Sequence, residues 1–176
     1  MNVSRRTWIA WGVGAVAGVA GVGAAWRRWS ATQSDESPTA LWAMRFARPE
    51  GGEYVMADFR GKPLILNFWA TWCVPCIREL PALQRFQRDF EGRGWQVLAL
   101  AVDSPVPVLE FISKFKLALP VGMAGVDGLE LMRVLGNTQG GLPFSVAIDA
   151  TGRVVERKLG ETKYEDLLLW AAAAKS

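Results

Sequence analysis

The chain has 176 residues, enough for one domain and an appendage, with a formal net charge of +3 and no histidine. The lack of histidine removes the usual general base, the commonest metal ligand and the commonest haem ligand. The basic residues are scattered and form no single stripe, so nucleic acid is not an expected partner.

Residues 1–29 read as a signal anchor. Arg5 and Arg6 precede an uncharged, Gly/Ala-rich run over residues 7–26, and Arg27 and Arg28 close it. At helical rise that run spans roughly 30 Å, the thickness of a hydrocarbon core. Trp8 and Trp11 mark one end and Trp26 and Trp29 the other, as interfacial aromatics do. Arg5-Arg6 also resembles part of a twin-arginine export signal. A cleaved signal peptide is the competing outcome, but no clean small-residue cleavage site follows the run. Residues 30–40 are polar, with Pro, Ser and Thr, and read as a linker. The folded domain is expected over residues 41–176.

Trp42, Met44 and Phe46 alternate with other residues as in a strand, and residues 49–53 carry a turn signal that makes residues 54–59 the returning arm of a hairpin. Residues 63–70 are a near-continuous apolar run, the pattern of a strand buried on both faces. A helix is expected over residues 74–90, with Ile77, Leu80, Leu83, Phe86 and Phe90 on one side and a bend at Pro81. Residues 95–103 form another buried strand. Ser104 and Pro105 open a helix to about Lys116, and residues 118–124 give a short strand. Asp127 and Glu130 have the spacing of a capping box whose helix Gly136 can end. Residues 144–160 read as a hairpin turning near Thr151 and Gly152, and Thr162 and Glu165 as a second capping box before the last helix. Strands alternating with helices and closing on an antiparallel hairpin predict an α/β fold with a mixed sheet.

The only two cysteines, Cys73 and Cys76, stand where a buried strand gives way to a helix. A zinc site needs about four ligands, and this pair supplies two. A structural staple gains little, because a disulfide closing so short a loop removes little unfolded-chain entropy. A redox pair fits the local physics. Unpaired N–H groups and the positive end of the helix stabilise a thiolate on Cys73, and Cys76, one turn in, is the resolving thiol. Pro75 is tolerated in the first turn, where its missing N–H costs nothing.

At residues 68–76, Phe-Trp-Ala-Thr-Trp-Cys-Val-Pro-Cys, the chain resembles the active-site strand and helix start of the thioredoxin superfamily, and more narrowly its TlpA/ResA-like branch. The resemblance runs from about Leu41 to the C-terminus. It implies a thioredoxin-like fold with an N-terminal hairpin and an N-terminal transmembrane helix, and a membrane-anchored, extracytoplasmic thiol–disulfide oxidoreductase. Several members serve cytochrome c maturation. Residues 140–149 resemble the family's cis-proline segment, which makes Pro143 the cis residue facing the cysteines and offers the Leu142 backbone to an extended peptide. A trans proline in an ordinary loop is the alternative. Glu79 matches an acidic residue of ResA-like proteins that tunes the cysteine pair and assists proton transfer; otherwise it is a solvated helix glutamate. Trp72 is a wall of the site or a packing residue. Thioredoxin proper carries a buried aspartate six residues before the first cysteine, and this chain has Asn67 there, so Glu79 or water must take the proton from Cys76.

The resemblance therefore implies reduction of disulfides in exported proteins through Cys73 and Cys76, with no cofactor and no metal. The site would include Glu79, Trp72, Pro75, Leu142 and Pro143. The partners would be a thiol or disulfide protein and a membrane electron donor. The place would be the periplasmic side of the inner membrane, on a single-pass anchor. A thiol peroxidase shares the fold, but its Pro-x-x-x-Thr-x-x-Cys signature is missing around both cysteines. An oxidase or isomerase would use the same pair, and a docking protein would have no need of it.

Overall fold

The computed structural model describes residues 40–174, all within one unit of the chain, Ser37–Ser176. The expected anchor and nearly all of the linker lie outside the described residues. Among the described residues no helix is long and apolar enough to cross a membrane.

The elements run in the expected order: a hairpin of β1 (Arg45–Ala47) and β2 (Glu53–Val55), then β3 (Leu64–Trp69), α1 (Val74–Phe90), β4 (Gln96–Ala101), α2 (Pro105–Phe115), β5 (Val121–Met123), α3 (Gly125–Val134), β6 (Phe144–Ile148), β7 (Val154–Leu159) and α4 (Tyr164–Ala173). Five strands form one mixed sheet in the order β5-β4-β3-β6-β7. β3, β4 and β5 are parallel; β6 runs antiparallel to β3, and β7 to β6. The central strand β3 is buried along its whole length, as its apolar run requires.

The two faces of β3 divide the interior. Ile65 and Trp69 join the core made with α1, α2 and α4, and both cysteines belong to that core. Leu64, Leu66 and Phe68 join the core made with the hairpin and α3. The hairpin lies against β5 at Gly122. A Cβ there would come within 2.9 Å of Leu100 Cδ2 and 3.2 Å of Phe46 Cβ, so only glycine lets the two layers approach this closely.

Four local expectations give way. The returning arm expected over residues 54–59 pairs as a strand only over Glu53–Val55, and Met56–Phe59 turn into a 3-10 helix that buries Met56. Trp42 lies in a 3-10 turn, Leu41–Ala43, and only Arg45–Ala47 pairs as a strand, because burying Leu41 and Trp42 outweighs their alternating pattern. α3 begins at Gly125, so Asp127 sits inside its first turn and makes no capping box with Glu130. In α4 the cap moves one residue on: the Asp166 carboxylate accepts from the Lys163 N–H at 2.8 Å, while Thr162 is turned inward. The long helix α1 continues through Pro81, with Leu80, Leu83, Phe86 and Phe90 buried and Ile77 packed at the edge of the core.

Candidate active site

Strand β3 delivers the chain to the site, and the start of α1 shapes it. The turn between them is held from the side by Asp103, just after β4. Its Oδ2 accepts from the Thr71 N–H at 3.0 Å and the Thr71 hydroxyl at 2.5 Å, and its Oδ1 accepts from the Ser104 N–H at 2.7 Å. Burial pushes this carboxyl up, but those three donors outweigh it and hold Asp103 below its ordinary range. The clasp ends two residues before Cys73.

Cys73 and Cys76 are joined as a disulfide with Cα atoms 5.2 Å apart. Cys73 is the N-cap of α1, and its sulfur receives the Cys76 backbone N–H at 3.3 Å. In the reduced state that N–H and the helix dipole meet a thiolate at the same position. Cys73 is 6% exposed and Cys76 is fully buried, so attack from outside reaches Cys73 first. Trp72, just before the pair, and Val74, between its two members, are 67% and 61% exposed, an apolar rim beside the Cys73 sulfur. Pro75 is half-buried in the first turn of α1.

The Leu142–Pro143 bond is cis. Pro143 is buried, and half-buried Leu142 packs against the core cluster that contains both cysteines. The Pro143 carbonyl accepts from the Gly160 N–H at 2.8 Å, which ties this segment to the loop before α4.

Glu79 is not a solvated helix residue. It is 1% exposed and points into a polar cluster on the cysteine face of the sheet. Asn67 and Ser145 are cross-strand partners on β3 and β6. The Asn67 Nδ2 donates to Glu79 Oε1 at 2.6 Å and to Ser145 Oγ at 3.0 Å. The Thr162 N–H donates to Glu79 Oε2 at 2.6 Å, and the Thr162 hydroxyl lies 3.2 Å from Ser145 Oγ. Burial raises the Glu79 carboxyl to about 7 against the pull of the Thr162 and Asn67 donors; the Glu161 charge raises it further and Lys158 lowers it. A carboxyl poised near neutrality one helical turn from Cys76 is suited to taking and returning a proton. Among the described residues no group of three or more His, Cys, Asp or Glu side chains is placed to hold a metal ion.

The family model named Redoxin matches residues 35–168, most of the chain. The chain belongs to the redoxin family. This redoxin is 34% identical over 119 residues to the thiol-disulfide oxidoreductase ResA of Bacillus anthracis, a match covering 67% of this chain and 66% of the relative. The chain thus spans just under two thirds of the curated relatives it matches. Among solved structures, it is similar to a thiol:disulfide interchange protein of the thioredoxin family from Chlorobium tepidum, with a TM-score of 0.68, 26% identity and coverage of 76% of this chain and 93% of that one. StoA from Bacillus subtilis gives a TM-score of 0.59 at 26% identity, covering 73% and 95% of the two chains. The redoxin fold seen here is thioredoxin-like, a central mixed sheet flanked by helices.

In sequence Asn67 shows only as a missing acid, and Ser145, Thr162 and Asp103 do not read as site residues. A signal was present for two of them. Asn67 and Ser145 are the lone polar residues in strands that are otherwise apolar.

Proposed function

We propose that this redoxin is a thiol–disulfide oxidoreductase that reduces disulfides of exported proteins at the extracytoplasmic face of a membrane, held there by residues 1–29. The observation that carries the chemistry is the Cys73 sulfur at the N-terminus of α1, facing the Cys76 N–H, with the buried Glu79 carboxyl one turn behind. The named relatives support the same activity.

In the proposed cycle the Cys73 thiolate attacks a substrate disulfide. The substrate S–S bond breaks, one substrate sulfur leaves as a thiolate, and a mixed disulfide forms with Cys73. Glu79 takes the proton from Cys76, whose thiolate attacks the Cys73 sulfur and releases the second substrate thiolate. Two electrons have then passed to the substrate, and Cys73–Cys76 is oxidised. A membrane-embedded dithiol or electron donor reverses that oxidation. Trp72 and Pro75 border the substrate's approach, and Leu142 with the cis Pro143 offers the backbone edge for an extended peptide. An apocytochrome c is the substrate class favoured by the family resemblance.

The test is disulfide exchange by the full chain. Cys73→Ser is expected to abolish turnover, and Cys76→Ser to accumulate the mixed disulfide. A reduction potential below about −200 mV supports a reductant, whereas a value near about −120 mV would make the protein an oxidant and sink the proposed direction.

A further inference from the structure

The cluster around Glu79 contains an anomaly. Both oxygens of its carboxylate face N–H donors, from Asn67 and from Thr162. Both N–H bonds of the Asn67 amide are used, one to Glu79 and one to Ser145. The other end of that amide, Oδ1, is buried with no partner. Buried polar atoms rarely stay unpartnered, and an exception calls for a reason.

The arrangement suits only one protonation state. A carboxylate accepts at both oxygens. A carboxylic acid must donate from one of them, and a proton on Oε1 would point at the Asn67 N–H. Of the two groups hydrogen-bonded to Glu79, Asn67 and Thr162, neither presents an acceptor to that proton. Thr162 presents its backbone N–H, and Glu161 and Lys158 act on Glu79 through their charges. Asn67 can supply the acceptor, with the unpartnered end of its amide passing from Oδ1 to Nδ2. Turning its amide over about χ2 exchanges Oδ1 and Nδ2 in nearly the same volume, and that torsion has two broad wells. Oδ1 then accepts from the Glu79 O–H. The Ser145 hydroxyl, which is both donor and acceptor, rotates to follow.

We infer that Asn67 is a two-faced positioning residue for Glu79, offering its N–H to the carboxylate and its oxygen to the carboxylic acid. The inference rests on the reading of Glu79 as the proton acceptor of the Cys76 step. It accounts for an amide rather than a carboxylate on β3. An ionised aspartate at this position could not donate to Glu79, and two carboxyls in one pocket would share one proton instead of both ionising. An apolar residue would serve neither state. The orphaned oxygen is the acceptor held for the protonated half of the cycle.

The experiment is an NMR pH titration of the full chain, labelled with 15N and 13C, in its oxidised form in detergent micelles. The Asn67 side-chain amide protons are expected to show contacts to the Ser145 side chain above the Glu79 midpoint and to lose them below it, with the same midpoint as the Glu79 carboxyl carbon, and to show no such change in Glu79→Gln. Asn67→Asp is expected to raise the proton affinity of the pocket at least tenfold. Asn67 amide contacts that stay unchanged in the wild-type chain while Glu79 titrates overturn the inference, and that reading does not depend on any variant folding. The role of Glu79 in turnover is read separately, from the pH profile of disulfide exchange. An unchanged profile in Glu79→Gln removes the proton-acceptor step, while a shared midpoint still supports the Asn67–Glu79 pairing.

Discussion

Glu79 and Asp149 are about equally hidden, 1% and 3% exposed, and they titrate in opposite directions. Burial pushes both carboxyls up. Asp149, at the end of β6, is overruled by its own turn. The Thr151 hydroxyl reaches Oδ1 at 2.6 Å, the Arg153 N–H at 3.0 Å and the Thr151 N–H at 2.9 Å, while the Arg153 guanidinium reaches Oδ2 at 2.9 Å. Asp149 is held below its ordinary value as a result. Glu79 has two donors, neither charged, and rises to about 7. Glu79 lies deep between helix and sheet and is desolvated far more heavily than Asp149, which sits in a surface turn. Weaker desolvation together with more donors, one of them charged, holds Asp149 down. One carboxylate fastens a hairpin, and the other is held near neutrality by burial.

The largest expected effect tests Glu79. Its proton is held more tightly in the folded chain than in the unfolded one. Its contribution is therefore most favourable below its ordinary value of 4.5 and is lost as pH rises towards 7. That loss is on the order of 3 kcal/mol. Urea denaturation of Glu79→Gln across this window should lack that downward slope, and parallel curves for the two chains would break the contrast.

Asp149→Ala comes next. It should cost about 2 kcal/mol at neutral pH, by removing charge-assisted hydrogen bonds in the turn. Because its folded pKa is depressed, the cost should shrink as pH falls through and below 3.8, opposite to Glu79. Disulfide exchange should be unchanged. A stability cost that does not vary with pH would show that the turn does not depend on the charge.

The smallest effect sharpens the question of which donors matter. The Arg153 side chain is 55% exposed, so Arg153→Met should cost only about 0.5–1 kcal/mol in the same denaturation assay. Asp149 should still titrate below its ordinary range, on the Thr151 and Arg153 backbone donors. A carboxyl that returned to its ordinary range in this variant would assign the contrast to the cation alone.

Much of this was legible in the chain. The apolar run at β3, the 3.6-residue spacing along α1 and the hairpin turn at Gly152 gave the element order. The cysteines at a strand-to-helix junction marked the chemistry. Local signals failed where distant groups competed for the same atoms. Thr162 has the spacing of a helix cap, but its N–H goes to Glu79 and its hydroxyl meets Ser145. Asp127 has a capping partner at Glu130, but α3 starts earlier, at Gly125, and leaves Asp127 inside its first turn. The environment of Glu79 was hidden because Asn67, Glu79, Ser145 and Thr162 come from four separate segments.

The sequence by itself determined the α/β order, the buried strands and the redox pair, because periodicity and helix-end chemistry act over a few residues. Only the tertiary structure decided that Glu79 is buried beneath α1, that Asn67 and Thr162 hold it, and that its proton is poised near neutrality. Those properties depend on desolvation and on donors brought together from β3, β6 and the loop before α4, and no local spacing encodes that meeting.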